Sequence, residues 1–331
     1  MRPQERARGF RKQRKVRKKY AAHPQRTFIA LYLAFCFAPA IPAQTPAANP
    51  ARPTVTNPAT LPPVGYLQFE QGYLGSIASP ETRSQYGINQ TAKLTVAPRL
   101  MIEIQSQPFA VGTSNDSPQS TRDAGDVLFG AQAVLYNPPP EPDTSSRPDV
   151  HRHAHIRSAV PTVAFAYLNR VHSGTAPDID LGSQSRTAVF LFSGHAPGID
   201  VHYDTNLIAS EQDGELPVPG STTAIHTVRR AQFGETFSID RALFDPNLQF
   251  SLEVYHLSQP LVHSSADGQS VARANLVDGL FALSYQLRPN LVFDGGFAHG
   301  FTSTSTRWQS FAGFTYLLPH RLWPAKNHAK S

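Results

Sequence analysis

Apolar and polar residues alternate with a period of two along most of the chain beyond Tyr66. That is the strand period, in which successive side chains point to opposite faces. In Ile199–Leu207, Ile199, Val201, Tyr203 and Leu207 share one face, and Asp200, His202, Asp204 and Asn206 the other. Leu248, Phe250, Leu252 and Val254 oppose Gln249, Ser251, Glu253 and Tyr255. Leu100, Ile102 and Ile104 oppose Met101, Glu103 and Gln105. Leu291, Phe293 and Phe297 oppose Asp294 and Gly296, and Val277, Phe281, Leu283 and Tyr285 oppose Asp278 and Ser284. No stretch carries a convincing helical period. The pattern predicts strands near residues 66–75, 88–96, 99–106, 125–136, 160–170, 186–194, 199–208, 227–239, 248–256, 274–286, 290–298 and 308–318.

The connections set the topology. Tight proline turns fall at Ala97-Pro98-Arg99, His195-Ala196-Pro197-Gly198, Asp245-Pro246-Asn247 and Arg288-Pro289-Asn290. Between them come longer polar stretches, Ser106–Ala124, Ser210–His226 and Leu257–Ala272. Short turns on one rim and long loops on the other are the plan of an up-and-down barrel in an outer membrane. The expected fold is therefore all-β: an antiparallel transmembrane barrel of about twelve strands over residues 66–318. Asn137–Ala159 breaks the rhythm, being long where a short turn is due, so ten or fourteen strands remain open. A soluble sandwich also alternates. The membrane reading is favoured because one face of each strand is aliphatic and aromatic while the other keeps Asp, Glu, His, Asn and Gln. Closure also leaves no unpaired backbone facing lipid.

Composition changes the picture at the N-terminus. The chain has 331 residues, 40% hydrophobic and 16% charged, with a formal charge of +6. Residues 1–26 hold eleven of the thirty Lys and Arg and one acid, Glu5. Phe28–Ala38 is apolar, and Pro39-Ala40-Ile41-Pro42-Ala43 is small and proline-rich. Basic, apolar and small-residue segments in that order predict a cleaved signal peptide over residues 1–43. Removing eleven basic residues and one acid leaves nineteen against twenty-three, a net −4, so no nucleic-acid partner is expected. Cleavage also removes Cys36, the one cysteine, and with it disulfide and thiolate chemistry. Residues 44–65, rich in Pro, Ala and Thr, read as a periplasmic linker, and 319–331 as a basic periplasmic tail.

The last strand, Phe311–Leu318, puts Phe314, Tyr316 and Leu318 on its outward face and Gly313 three residues before Tyr316. It looks like the C-terminal signal read by barrel-insertion machinery, with Phe311, Gly313, Tyr316 and Leu318 as the elements recognised. The chain resembles a family of bacterial outer-membrane channels named after the meta-cleavage pathway of phenol degradation. The likeness rests on Leu67-Gln68-Phe69-Glu70-Gln71-Gly72, on Gly125–Gln132 and on Leu287–Gly296. It implies a channel-like barrel in outer-membrane lipid that passes small solutes, hydrophobic or aromatic compounds among them. These glycine and turn patterns assign no catalytic or ligand residue.

Candidate chemistry is correspondingly spare. Glu103, Asp200, His202, Asp204, Glu253, Asp278 and Asp294 are the expected pore lining, since charged rings tune channel selectivity. Asn137–Ala159 and Ser106–Ala124 are the candidate plugs. His151, His153 and His155 alternate in a polar loop, and Asp178–Gly182 lacks the later ligands of a calcium loop. No cofactor or metal is expected. Two other readings stay open: a non-conducting structural or adhesive barrel, and an outer-membrane phospholipase using His256 as base and Ser258 as nucleophile.

Overall fold

The computed structural model describes residues 46–52, 54–79, 82–115, 119–139, 160–171, 173, 185–196, 201–217, 225–263 and 270–323. The expected signal peptide, most of Asn137–Ala159 with its three histidines, Asp178–Gly182, Asp200 and residues 324–331 of the tail lie outside these.

Among the described residues there are thirteen strands: β1 Leu67–Ile77, β2 Thr82–Ala97, β3 Leu100–Ser114, β4 Ser120–Asp123, β5 Val127–Tyr136, β6 Thr162–Val171, β7 Ser185–Ala196, β8 Val201–Pro217, β9 Ile225–Ala242, β10 Leu248–His263, β11 Ser270–Arg288, β12 Leu291–Gly300 and β13 Trp308–Leu317. Every pairing is antiparallel between neighbours, and β1 also pairs β13, from Gln68↔Leu317 to Ile77↔Trp308. The sheet therefore closes on itself as a ring.

The wall has twelve staves, because β4 and β5 both pair with β3 and together make one. The break has a local cause. Pro108 lies within β3 and has no N–H to give the ladder. The β3–β5 pairing ends at Ser106↔Val127 and the β3–β4 pairing begins at Ala110↔Asp123. Between them the Gly125 N–H still reaches the Gln107 carbonyl at 2.8 Å, so the stave kinks without coming apart.

Two of the expected long loops are largely strand. β8 and β9 pair out to Pro217↔Ile225, and β10 and β11 out to His263↔Ser270. Polar side chains do not prevent a backbone ladder from continuing beyond the apolar belt. Ser106–Ala124, expected as a loop and plug, is likewise the upper half of β3 plus β4.

The two faces separate as the alternation predicts. Ile102, Ile104, Phe190, Leu207, Leu252, Val254, Tyr285 and Phe293 stand exposed on the outside. Their inward neighbours, Glu103, Leu191, Asn206, Glu253, Ser284 and Asp294, are buried. An apolar exterior around a polar interior suits a wall wetted by lipid.

Candidate functional site

What fills the interior is the stretch read from sequence as an open periplasmic linker. From Pro46 to Pro63 it runs inside the ring, and Ala48, Thr56 and Ala59 have no solvent exposure. Its composition explains why it forms neither helix nor strand: prolines at 46, 50, 53, 58, 62 and 63 remove backbone donors and fix φ. Its remaining N–H groups need partners once buried. The wall supplies them largely from side chains, and the Pro289 carbonyl takes the Ala48 N–H at 2.8 Å.

Glu253 on β10 is the main clasp. Its Oε2 accepts from the Val55 N–H and its Oε1 from the Thr56 N–H, both at 2.8 Å. The Thr56 hydroxyl lies 2.6 Å from Oε1 and 2.8 Å from the Thr236 hydroxyl. Gln68 on β1 reads Asn49 twice, accepting from its N–H at 2.8 Å and donating to its carbonyl at 2.6 Å. Glu70 accepts from the Ala51 N–H at 3.3 Å, from Gln68 Nε2 at 2.9 Å and from Lys93 Nζ at 2.8 Å. Gln132 donates to the Pro58 carbonyl at 3.0 Å, and the Ala59 N–H donates to the Ser193 hydroxyl at 2.6 Å. With its amide turned to satisfy both groups, Asn206 accepts from the Asn57 N–H at 2.7 Å and donates to its carbonyl at 2.9 Å.

One side chain of the segment carries charge. Arg52 Nε pairs with Asp294 Oδ1 on β12 at 3.4 Å. Its guanidinium lies over Gly72 and Gly313, which face each other across the β1–β13 seam. A Cβ at Gly72 would collide with that guanidinium, so this paired absence of side chains makes the slot. Beyond Asn57 the segment turns apolar: Ala59 and Leu61 pack on Val134, Ala164, Ala166, Val189 and Leu191. The segment then leaves the interior through Gly65, whose φ of +84° is open to glycine at no steric cost, and enters β1.

At this level the described residues of the lumen enclose voids of about 20 and 30 Å³. Each is room for about one water. At the short-turn rim a larger recess of about 880 Å³ opens between the segment and the wall. Leu61, Pro62, Pro98, Val134 and Pro138 give it an apolar lining beside Arg99 and Thr162.

The expected pore-lining residues are all inward where they are described. Glu103 stands across from Lys93 in the β2–β3 register, and Asp278 accepts from the Tyr255 hydroxyl at 2.6 Å. Glu253 and Asp294 hold the segment, and His202 and Asp204 belong to a cluster with Asp240 on β9. Sequence reading missed Gln68, Glu70, Lys93 and Asp240. The same alternation marks them, since Gln68 and Glu70 flank Phe69, and Asp240 follows Ile239.

His256 and Ser258 face outward but are not joined. The Ser258 hydroxyl donates to the Phe233 carbonyl and accepts from the Phe233 N–H, both at 2.9 Å. His256 Nδ1 lies 3.6 Å from Glu235 Oε1, a partner that the sequence pattern had not revealed.

No protein-family model matches the chain, and no curated protein matches it either. Solved structures do. The chain is similar in fold to an outer membrane channel from Pseudomonas putida F1, with a TM-score of 0.55 at 10% identity over 82% of this chain and 99% of that one. The NanC porin superposes less well, with a TM-score of 0.45 at 9% identity over 76% of this chain and 98% of that one. The CymD monoaromatic hydrocarbon channel gives 0.34 at 9% identity over 78% and 90%. The likeness to the Pseudomonas channel, together with the closed ring and its apolar exterior, makes this the fold of a bacterial outer-membrane β-barrel.

Proposed function

We propose that the chain is an outer-membrane channel for small solutes whose path is closed by residues 46–63 and opens when they leave the lumen. The observation that carries this reading is how the segment is held. It lies in the bore mainly on hydrogen bonds to side chains, with no strand pairing to the wall among the described residues, and the voids beside Thr54, Asn57 and Pro58 are water-sized. Such bonds exchange with water at a modest net cost, about 0.5–1.5 kcal/mol each for neutral pairs. Glu103, His202, Asp204, Glu253, Asp278 and Asp294 would then line the vacated path, and an acidic lining favours cations over anions. The prolyl and aliphatic recess at the short-turn rim supports hydrophobic or aromatic solutes as the cargo class. Gly313 and the outward Tyr316 of β13, with Phe311 behind them and Leu318 just after the strand, are the proposed signal to the insertion machinery.

The test is conductance in a planar bilayer. The intact chain gives small or rare current steps, and a chain lacking residues 46–63 gives frequent, larger ones. Silence from both chains, each shown to be folded by heat-modifiable gel migration, would leave the structural or adhesive barrel standing. For the phospholipase reading, vesicles of phosphatidylethanolamine release no fatty acid in the presence of the intact chain. Release that is abolished in Ser258→Ala would reverse that conclusion.

A further inference from the structure

We infer that His202, Asp204 and Asp240 form a binding site for one divalent first-row metal ion of the zinc class. The three side chains come from adjacent staves and share the inward face. In the β8–β9 register His202 stands opposite Asp240, and Asp204 is two residues along β8. One donor atom from each lies within 4.8 Å of the others. His202 Nδ1 is 3.1 Å from Asp240 Oδ2 and 3.6 Å from Asp204 Oδ2. Ligands about 2.0–2.2 Å from one zinc ion must stand roughly 3–3.5 Å from each other. The imidazole is therefore already at ligand-to-ligand spacing from both carboxylates, and an ion would replace its hydrogen bond to Asp240.

The surroundings orient each carboxylate for this purpose. Asp204 Oδ1 is taken by the Ser193 hydroxyl, and Asp240 Oδ1 by Gln249 Nε2. In both residues one oxygen is tied to the wall and the other is aimed at the imidazole. Hydrogen bonds that fix the second oxygen of a ligating carboxylate are the usual support of a metal site. A separate observation is the void of about 30 Å³ that Asp204 and Asp240 border with Ser238, Ser251 and Ser284. It has room for an ion or one water, and its walls offer further oxygen donors. The register also sets His195 opposite His202 on the same inward face. A second imidazole is thus one stave away.

Charge favours occupancy. Glu70, Glu103, Asp204, Asp240, Glu253, Asp278 and Asp294 are buried or nearly so inside the ring, and among the described residues Lys93, Arg52 and the inward Arg170 are fewer than these acids. Arg52 borders the same void but is paired with Asp294. A dication on the triad would offset the excess where it is densest. Two carboxylates and an imidazole suit zinc, iron(II) or cobalt better than magnesium or calcium, which prefer all-oxygen shells. The cluster sits at the start of β8 and the end of β9 beside the short-turn rim, so an ion has a short route from water.

The experiment titrates the intact, detergent-solubilised chain, stripped with chelator, with cobalt(II) followed by visible absorption and with zinc(II) followed by calorimetry. One ion binds per chain, and the affinity falls at least about tenfold in Asp240→Asn and in His202→Ala. Replacing His151, His153 and His155 together by alanine leaves it unchanged. The inference is overturned if the ion is lost with those three histidines, if Asp240→Asn binds like the parent, or if nothing binds. Should the lumenal variants fail the gel-migration check, X-ray absorption of the zinc-loaded parent decides. Two carboxylate oxygens with imidazole nitrogen support the site, and a shell of several imidazoles without carboxylate removes it.

Discussion

The two halves of the lumenal segment are held by different physics. Residues 49–56 lie against β1, β9, β10 and β12, where Gln68, Glu70, Glu253 and Asp294 present charged or amide groups to the segment's backbone and to Arg52. Residues 59–61 lie against β5, β6 and β7, where alanines, valines and a leucine form an apolar patch. The first half is directional. The N–H groups of Asn49, Ala51, Val55 and Thr56 are each matched to a side-chain oxygen, and sliding the segment by a residue would leave them unmet inside the barrel. The second half rests mainly on packing, with the Ala59 N–H to Ser193 as a backbone anchor. Position is therefore set chiefly by the polar half, and the apolar half adds burial and that one anchor.

One deletion and three substitutions sharpen or break this contrast. The largest effect comes from deleting residues 46–63, which should raise single-channel conductance by a factor on the order of ten, since twelve staves fall between filled eight-stranded and open sixteen-stranded barrels. An unchanged conductance would mean that the segment does not govern the bore. Next is Glu253→Ala, which removes the acceptor for two N–H groups and a hydroxyl. Bonds to a charged group are worth about 1.5–3 kcal/mol, so amide exchange at Val55 and Thr56 should quicken roughly 10- to 100-fold. If exchange at Ala59 rises equally, the halves move as one body and the distinction fails.

Smaller effects probe the apolar half and the slot. Ala59→Leu overfills a fully buried position and should destabilise docking by about 1–3 kcal/mol, read as exchange at Ala59 with Val55 and Thr56 little changed. Gly72→Ala sets a methyl where the Arg52 guanidinium lies. Displacing the arginine from its rotamer costs roughly 0.5–1.5 kcal/mol, visible as a slight increase in open probability. Serine at position 72 should act like alanine. A larger response to Gly72→Ala than to Glu253→Ala would relocate the main hold to the seam.

Much of the wall was legible in the sequence because a barrel stave writes its two environments in alternation. Leu100 to Ile104 and Leu248 to Tyr255 could be assigned to faces residue by residue, and the structure puts those residues on those faces. The hairpin lengths were less legible, since the polar ends of β8 to β11 pair through backbone groups that carry no sequence signature. The kink at Pro108 was readable in principle, as a proline inside an alternating run. The segment in the lumen was not. Pro-, Ala- and Thr-rich composition reports the lack of regular structure, and an exposed linker and a lodged strap share it. What separates them is the partner, and Gln68, Glu70 and Glu253 are far from residues 49–56 in sequence or hidden among other polar inward positions. The triad of His202, Asp204 and Asp240 was half visible, because two members share β8 while the third arrives by register from β9.

The bend at Gly65 joins the lumenal segment to β1 without a break in the chain. A segment pulled out of the bore therefore stays leashed to its own rim, at an effective concentration in the millimolar range for a short tether. Reclosure is then a first-order event, indifferent to dilution. A free peptide of the same sequence could compete with it only at comparable millimolar levels.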